Sequence, residues 1–326
     1  MIGFKNWLEW LEEAKTTAKN LSTSDLNGKI HEVLVAKHLN GGKFIDDYHK
    51  DHHDKLMYQV GGSTSEKYKD EHKKAQHATE HIKKHLGVSS FKKVGIVSKA
   101  GDIKKFTDGK HNLSQHEDAS DVMVQHHDGT HHGISLKSTQ KHGAQPGVHN
   151  EGHKAVDKRL GVDTTHHIKG ARQKIVNQRT EMAGMNDTQA KAHLKTDETA
   201  NVVASEHGRT ALKNIRDDWH GAYQKMTSKD RAHHLRHLLH ATPNQIPHIR
   251  AHASGQNADH KTQVHSPSTH FDHILKDHAN IHMKKAGNGG IRWDHHHPKT
   301  GVITRVASER AKFDSGVSSP VKTSVI

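Results

Sequence analysis

The sequence predicts a mixed α/β fold, on three observations. Ser24 or Asp25 is placed to cap a helix whose apolar positions Ile30, Val33, Leu34 and Leu39 share one face, and Gly41-Gly42 closes it. Two short apolar runs, 122–124 and 133–137, flank a polar turn carrying Asp128-Gly129, which is the pattern of an antiparallel hairpin. Between the helix and the hairpin lie a Lys/His-rich stretch at 65–86 with helical character and a β-type run at 94–97.

The remaining elements follow in chain order. Residues 1–20 begin with Phe4, Trp7, Leu8 and Leu11, the i, i+3, i+4, i+7 stripe of a short amphipathic helix. Residues 21–150 hold the helix, the strands and the hairpin just described, and read as the core. Residues 151–280 are polar and helix-leaning, with weak patterns at 170–180, 188–195, 208–225 and 228–240, and read as a helical insertion or extension. The segment 243–268 is rich in turn residues. Residues 281–326 read as a C-terminal β-hairpin and tail, with strands in 291–306 and a turn near Pro298 and Gly301.

Composition narrows the function. The 326 residues carry 49 Lys+Arg against 36 Asp+Glu, a formal net charge of +13, together with 38 His. At an ordinary histidine pKa about a quarter of these are protonated at pH 7, adding roughly nine charges and more on acidification, which would tighten a grip on polyanions. Hydrophobic residues make up only 31%, which suggests one modest core with long polar extensions. The lack of Cys excludes disulfides, Cys-based zinc sites and a Cys nucleophile. No apolar run approaches the roughly 20 residues needed to cross a bilayer, and no secretory leader is visible. The expectation is a soluble, intracellular-type protein with no membrane role, whose polyanionic partner is nucleic acid.

One constellation carries chemistry. Asp121 opens the first strand of the hairpin, and Ser135-Leu136-Lys137 lies on the return strand. Side chains alternate along a strand, so Ser135 and Lys137 share a face that Asp121 can meet across the ladder. A carboxylate and an ammonium converging there can hold a divalent cation and a polarised water beside a phosphate. The lysine can orient or deprotonate the attacking water and neutralise charge that builds in the transition state.

These residues resemble the core of the PD-(D/E)xK nuclease superfamily: Asp121, a hairpin, then Ser135-Leu136-Lys137. The helix around Glu32, in Asn27-Gly28-Lys29-Ile30-His31-Glu32-Val33-Leu34, is similar to that family's first core helix, whose glutamate joins the active site. The resemblance covers about residues 25–140. It implies a restriction-endonuclease-like α/β core, a mixed sheet flanked by helices, and a Mg²⁺-dependent deoxyribonuclease. By position it makes Asp121 the principal metal ligand, Glu32 the helix carboxylate on the same ion, Lys137 the catalytic lysine and Ser135 a residue lining the site. Two letters depart from the pattern: Ser120 stands where the motif has Pro, and Ser135 where it has Asp or Glu. The missing acid then comes from elsewhere, Glu32 first and Asp118 second. Ser138, Thr139, Gln140 and Lys141 follow the lysine and are expected to contact flanking phosphates.

A second segment, Met1 to Ala14, resembles the capsid-targeting peptide of internal head proteins of contractile-tailed phages, and Leu11-Glu12-Glu13-Ala14 resembles a prohead-protease cleavage site between Glu13 and Ala14. That resemblance implies a phage-encoded protein acting in the host cytoplasm or carried in the virion interior, against the inner capsid. The rival reading from another class is a non-enzymatic basic DNA-binding protein packaged in a phage head. A third is a histidine-rich metal buffer, for which His233, His237 and His240 offer i, i+4, i+7 spacing, though no Glu sits where an H-E-x-x-H zinc site needs it. His295-His296-His297 reads as a polar turn, and Gly287-Asn288-Gly289-Gly290 lacks the Lys-Ser/Thr of a phosphate loop. Pairing with a second copy as a homodimer is left open by the sequence.

Overall fold

The computed structural model describes residues 23–97, 101–113, 120–142, 149–239, 246–257, 259–313, 317 and 321–325. The chain runs α1 (Thr23–Leu39), α2 (Asp47–Gln59), α3 (Glu66–Leu86), β1 (Lys93–Ile96), α4 (Asp102–Phe106), β2 (Val122–Gln125) and β3 (His131–Thr139). It continues through β4 (His149–Gly152), α5 (His153–Leu160), α6 (Thr165–Gln178), α7 (Asp187–Thr196), α8 (Glu198–Lys225) and α9 (Ser228–Leu238). Then come β5 (His248–Gln256), β6 (Asp259–His265), α10 (Pro267–Lys276), β7 (Ile281–Ala286), β8 (Gly290–His296), β9 (Ile303–Phe313) and β10 (Val321–Val325). The fold is mixed α/β.

The helix ends follow local chemistry. α1 already includes Ser24 and Asp25, so neither precedes the helix as a cap, and Gly41 and Gly42 close it at φ 69° and 81°. α3 starts where the Ser65 Oγ accepts the Tyr68 N–H at 3.2 Å and stops at Gly87 in the left-handed region.

The described residues fall into two compact units, 23–142 with 246–270, and 149–239 with 271–325. The first unit holds a five-stranded sheet in the order β1-β2-β3-β5-β6. All its pairings are antiparallel except β3 with β5, so the sheet is mixed. One parity of its side chains, including Val94, Val122, Val124, Ile134, Leu136, Ile249, Ala251 and Ala253, packs against Ile30, Val33 and Leu34 of α1 and Ala75, Ala78 and Ile82 of α3. Met123, of the opposite parity, packs with Val97, Ile103, Phe106 and Ile246.

The second unit has its own antiparallel sheet, ordered β4-β10-β9-β8-β7. Its core centres on Ile215, Trp219 and Tyr223 of α8 against Trp293 of β8. The indole of Trp219 donates to the buried Asp157 at 2.7 Å, and the Tyr223 hydroxyl donates to the fully buried Glu309.

The division corrects the sequence-based boundaries. The segment 243–268, expected to be turns, supplies β5 and β6 and completes the sheet begun in 21–150. Its apolar alternation is Ile249, Ala251, Ala253, and the two alanines give too weak a signal beside Pro243, Pro247 and Gly255. The stretch 151–280 is therefore not one extension, and 281–326 is more than a hairpin and tail: its four strands join β4 to form a sheet with a helical layer of its own. Each unit buries its apolar residues in its own core, so the chain is not built on one modest core. Residues 1–20, with the resemblance to a targeting peptide, lie outside the described residues.

Candidate functional site

The site is built where the start of β2 meets the middle of β3. The Asp121 N–H donates to the Ile134 carbonyl at 2.9 Å, and the Asp121 carbonyl accepts the Val97 N–H at 3.0 Å, so its backbone is tied to both flanking segments. Its carboxylate Oδ2 accepts the Leu136 N–H at 2.7 Å, which fixes the side chain against β3. Extending the register from Val122 opposite Ile134 sets Asp121 opposite Ser135, and alternation puts Lys137 on the same face. The Lys137 Nζ lies 3.8 Å from the Asp121 Oδ2, with 30% and 22% of the two side chains exposed. Ser135 is buried, at 3% exposure.

Glu32 enters from α1. Its neighbours Ile30, Val33 and Leu34 are buried against the sheet, and the carboxylate takes the Lys29 Nζ at 2.7 Å. Burial, and after it the negative charge of Asp121, push the Glu32 carboxyl up to about 7, while Lys29 and Lys137 pull it down. Glu32 thus shares an electrostatic environment with Asp121 and Lys137, so a helix and a hairpin distant from it in sequence contribute to one charged cluster. A half-exposed pair 3.8 Å apart contributes well under about 1 kcal/mol, so stability gives little reason to place Asp121 and Lys137 together.

The residues after Lys137 divide. Ser138 is part-buried, and its hydroxyl lies 3.4 Å from both Glu71 and Lys74 of α3. The Thr139 hydroxyl pairs with His252 Nε2 at 2.9 Å. Gln140 and Lys141 are exposed. Asp118, the second candidate for the missing acid, lies outside the described residues, as does His240; His237 contacts Arg159 at 3.3 Å.

A buried ionic cluster behind β3 is invisible in the sequence. Lys74 is wholly buried with its Nζ 2.8 Å from the Glu71 carboxylate, and His31 of α1 lies 3.7 Å from the same carboxylate. An E-x-x-K spacing on a polar helix reads as a solvated face. Only the docking of α3 on β3 inverts that reading.

The histidines are also not the uniform reserve of charge that composition suggests. Twelve of the described ones are held below the ordinary imidazole range, with burial the largest cause each time. Among the described residues two groups bring three potential metal donors together: His166, His167 and Asp218, and Glu181, His193 and Asp197. Neither includes the Glu32–Asp121 pair, which offers two carboxylates. No described helix is long and apolar enough to cross a membrane. Comparison with known proteins finds no matching family model and no matching curated protein.

Proposed function

We propose that the Glu32–Asp121–Lys137 cluster hydrolyses phosphodiester bonds of DNA with Mg²⁺, in the manner of the PD-(D/E)xK nucleases that the sequence resembles. The observation that carries this reading is the approach of Lys137 to Asp121 at 3.8 Å, and the charges of both act on the Glu32 carboxyl.

The donor set fits the ion. Mg²⁺ is held by one or two carboxylates and otherwise keeps water and substrate oxygens, and two partly buried carboxylates that repel each other gain from a cation between them. Asp121 and Glu32 would hold it; both contacts of Asp121 to β3 use Oδ2, so Oδ1 would be its donor. Bound there, the ion would polarise a phosphate oxygen. Lys137 would hold the attacking water in line with phosphorus and offset the charge gathering on the phosphate oxygens. Ser135, buried opposite Asp121, would line the site without ligating. The net charge of +13 would supply sequence-independent attraction for the phosphate backbone.

The test is plasmid nicking by the full chain in Mg²⁺, with DNA retention measured at the same salt. Lys137→Ala should lower the nicking rate by about 10²-fold or more while retention stays near that of the unsubstituted protein. DNA retention with no Mg²⁺-dependent nicking by the unsubstituted protein would discard the nuclease reading and leave a basic DNA-binding protein.

A further inference from the structure

The second unit carries a separate cluster of ligating side chains that the nuclease reading does not use. His166 and His167 lie in the first turn of α6, and Asp218 lies on α8. One ligand atom from each residue falls within 4.8 Å of the other two. His167 Nε2 is already 2.8 Å from the Asp218 Oδ2, and the two imidazole centroids are 3.9 Å apart. Ala171 of α6 and Ala211 of α8, both small and buried at 6% and 2% exposure, line the same small cavity between the helices. Along α8, His207, Ala211, Asn214 and Asp218 follow one another at helical spacing, so His207 and Asp218 belong to the same stripe. His207 and Asn214 line, with His166 and His167, a small cavity of about 120 Å³.

We propose that this cleft between α6 and α8 binds a divalent transition-metal ion of the Zn²⁺ or Ni²⁺ class. Two imidazoles and one carboxylate are the donors such ions take, with a fourth position left for water or for His207. A Mg²⁺ ion, which seeks oxygen, finds only one carboxylate here, and a thiophilic ion finds no sulfur ligand. The support behind His166 has the form that ligating histidines show: its Nδ1 donates to the Asp163 carbonyl at 2.9 Å, which leaves the Nε2 lone pair for the ion. Asp163 also places a carboxylate at the start of α6, where its Oδ1 accepts the Thr165 N–H at 2.9 Å, and its negative charge offsets the positive end of the helix dipole. The other three-donor group lacks this opening, because the Arg179 guanidinium bonds both Glu181 and Asp197 at 2.5 Å and already supplies the cation. The ion would clip α6 to α8.

Binding is measured on the full chain by dialysis against Zn²⁺ held low by a chelator buffer, which keeps scattered weak histidine sites empty. One ion per chain is expected. Asp218→Asn and His166→Ala, both at partly exposed positions, should each weaken it at least tenfold with the far-ultraviolet circular dichroism unchanged. Co²⁺ in place of Zn²⁺ should give the intense visible bands of a tetrahedral site, lost in the same variants, while His233→Ala on α9 leaves both readouts as they were. Binding of no ion, or of one whose affinity neither substitution at 218 nor at 166 alters, would overturn the assignment.

Discussion

Replacing Lys74 by methionine isolates the buried ionic cluster behind β3. The side chain keeps an unbranched apolar stem and loses the terminal ammonium. Lys74 is wholly buried, and its Nζ partners are the Glu71 carboxylate at 2.8 Å and the Ser138 hydroxyl at 3.4 Å. Without it the Glu71 carboxylate, 3% exposed as a side chain, keeps the Ser138 hydroxyl and an imidazole 3.7 Å away. Stranding one member of a buried ion pair costs about 3–5 kcal/mol. At about 2–4 °C per kcal/mol for a domain of 150–250 residues, the melting midpoint of the first unit should fall by about 6–20 °C. Circular dichroism melts of the full chain at pH 7 measure it. Adding Glu71→Leu should recover most of the loss, since a buried pair replaced by apolar side chains is often neutral.

The pH dependence of that deficit gives an independent check. Burial raises the Glu71 carboxyl, but His31 and Lys74 together outweigh it and leave it below the usual carboxylate range. The cluster therefore stabilises the fold above the unfolded carboxyl pKa and loses that contribution as pH falls through the folded value. With Lys74 gone the folded carboxyl rises, so the deficit of Lys74→Met should be largest at pH 7 and shrink toward pH 5. A loss below about 1 kcal/mol, or a double variant as unstable as the two single losses added, would refute the reasoning.

Two further predictions concern histidine and glycine. His38, His132 and His265 are pushed down to about 4 and His248 to about 3, in each case by burial first, so they are neutral in the fold and protonate in the unfolded chain below about 6.5. The unfolded state then binds more protons, and urea midpoints should drop steadily from pH 7 to pH 5; a flat profile would contradict these burials. Gly255 has φ +106°, and a Cβ there would sit 1.8 Å from the Asp259 carbonyl oxygen at the turn of the β5–β6 hairpin. Gly255→Ala should cost more than about 2 kcal/mol, against about 1 kcal/mol for Gly129→Ala, whose φ is also positive but whose Cβ meets nothing within 4 Å. Equal costs in chemical denaturation would count against that backbone contact.

What the sequence reveals depends on whether a signal is local. The α1 stripe, the helical stretch at 65–86 and the Asp128-Gly129 turn are encoded within a few residues, and each appears in the structure close to its expected place. The pairing of β3 with β5 is parallel and joins residues more than a hundred positions apart, so no turn chemistry announces it. Cues at the site are similarly divided. Alternation puts Ser135 and Lys137 on one face, but only the strand register brings Asp121 opposite them. Ser138 shows the limit of reading a polar letter as an exposed one, since helix docking turns its hydroxyl toward Glu71.

Ser135 changes what the site requires of the fold. With an acid at that position, two carboxylates would hang from adjacent strands of one hairpin, and the hairpin register alone would set their separation. In the proposed nuclease reading, with serine there, the second carboxylate would come from α1, and its distance from Asp121 is set by how Ile30, Val33 and Leu34 pack on Val122, Val124, Ile134 and Leu136. Those side chains are nearly or wholly buried, and packed interiors resist displacement of even a methylene. The apolar contact of α1 with the sheet therefore does for Glu32 what the β2–β3 ladder does for Asp121: it fixes a charged group that gains little from being there. Lys29, 2.7 Å from the Glu32 carboxylate and half-exposed, is the part of the cluster that would move aside for the proposed divalent cation. A rigid pair of carboxylates with a displaceable ammonium would let the proposed ion enter without unfolding the strand edge that holds it.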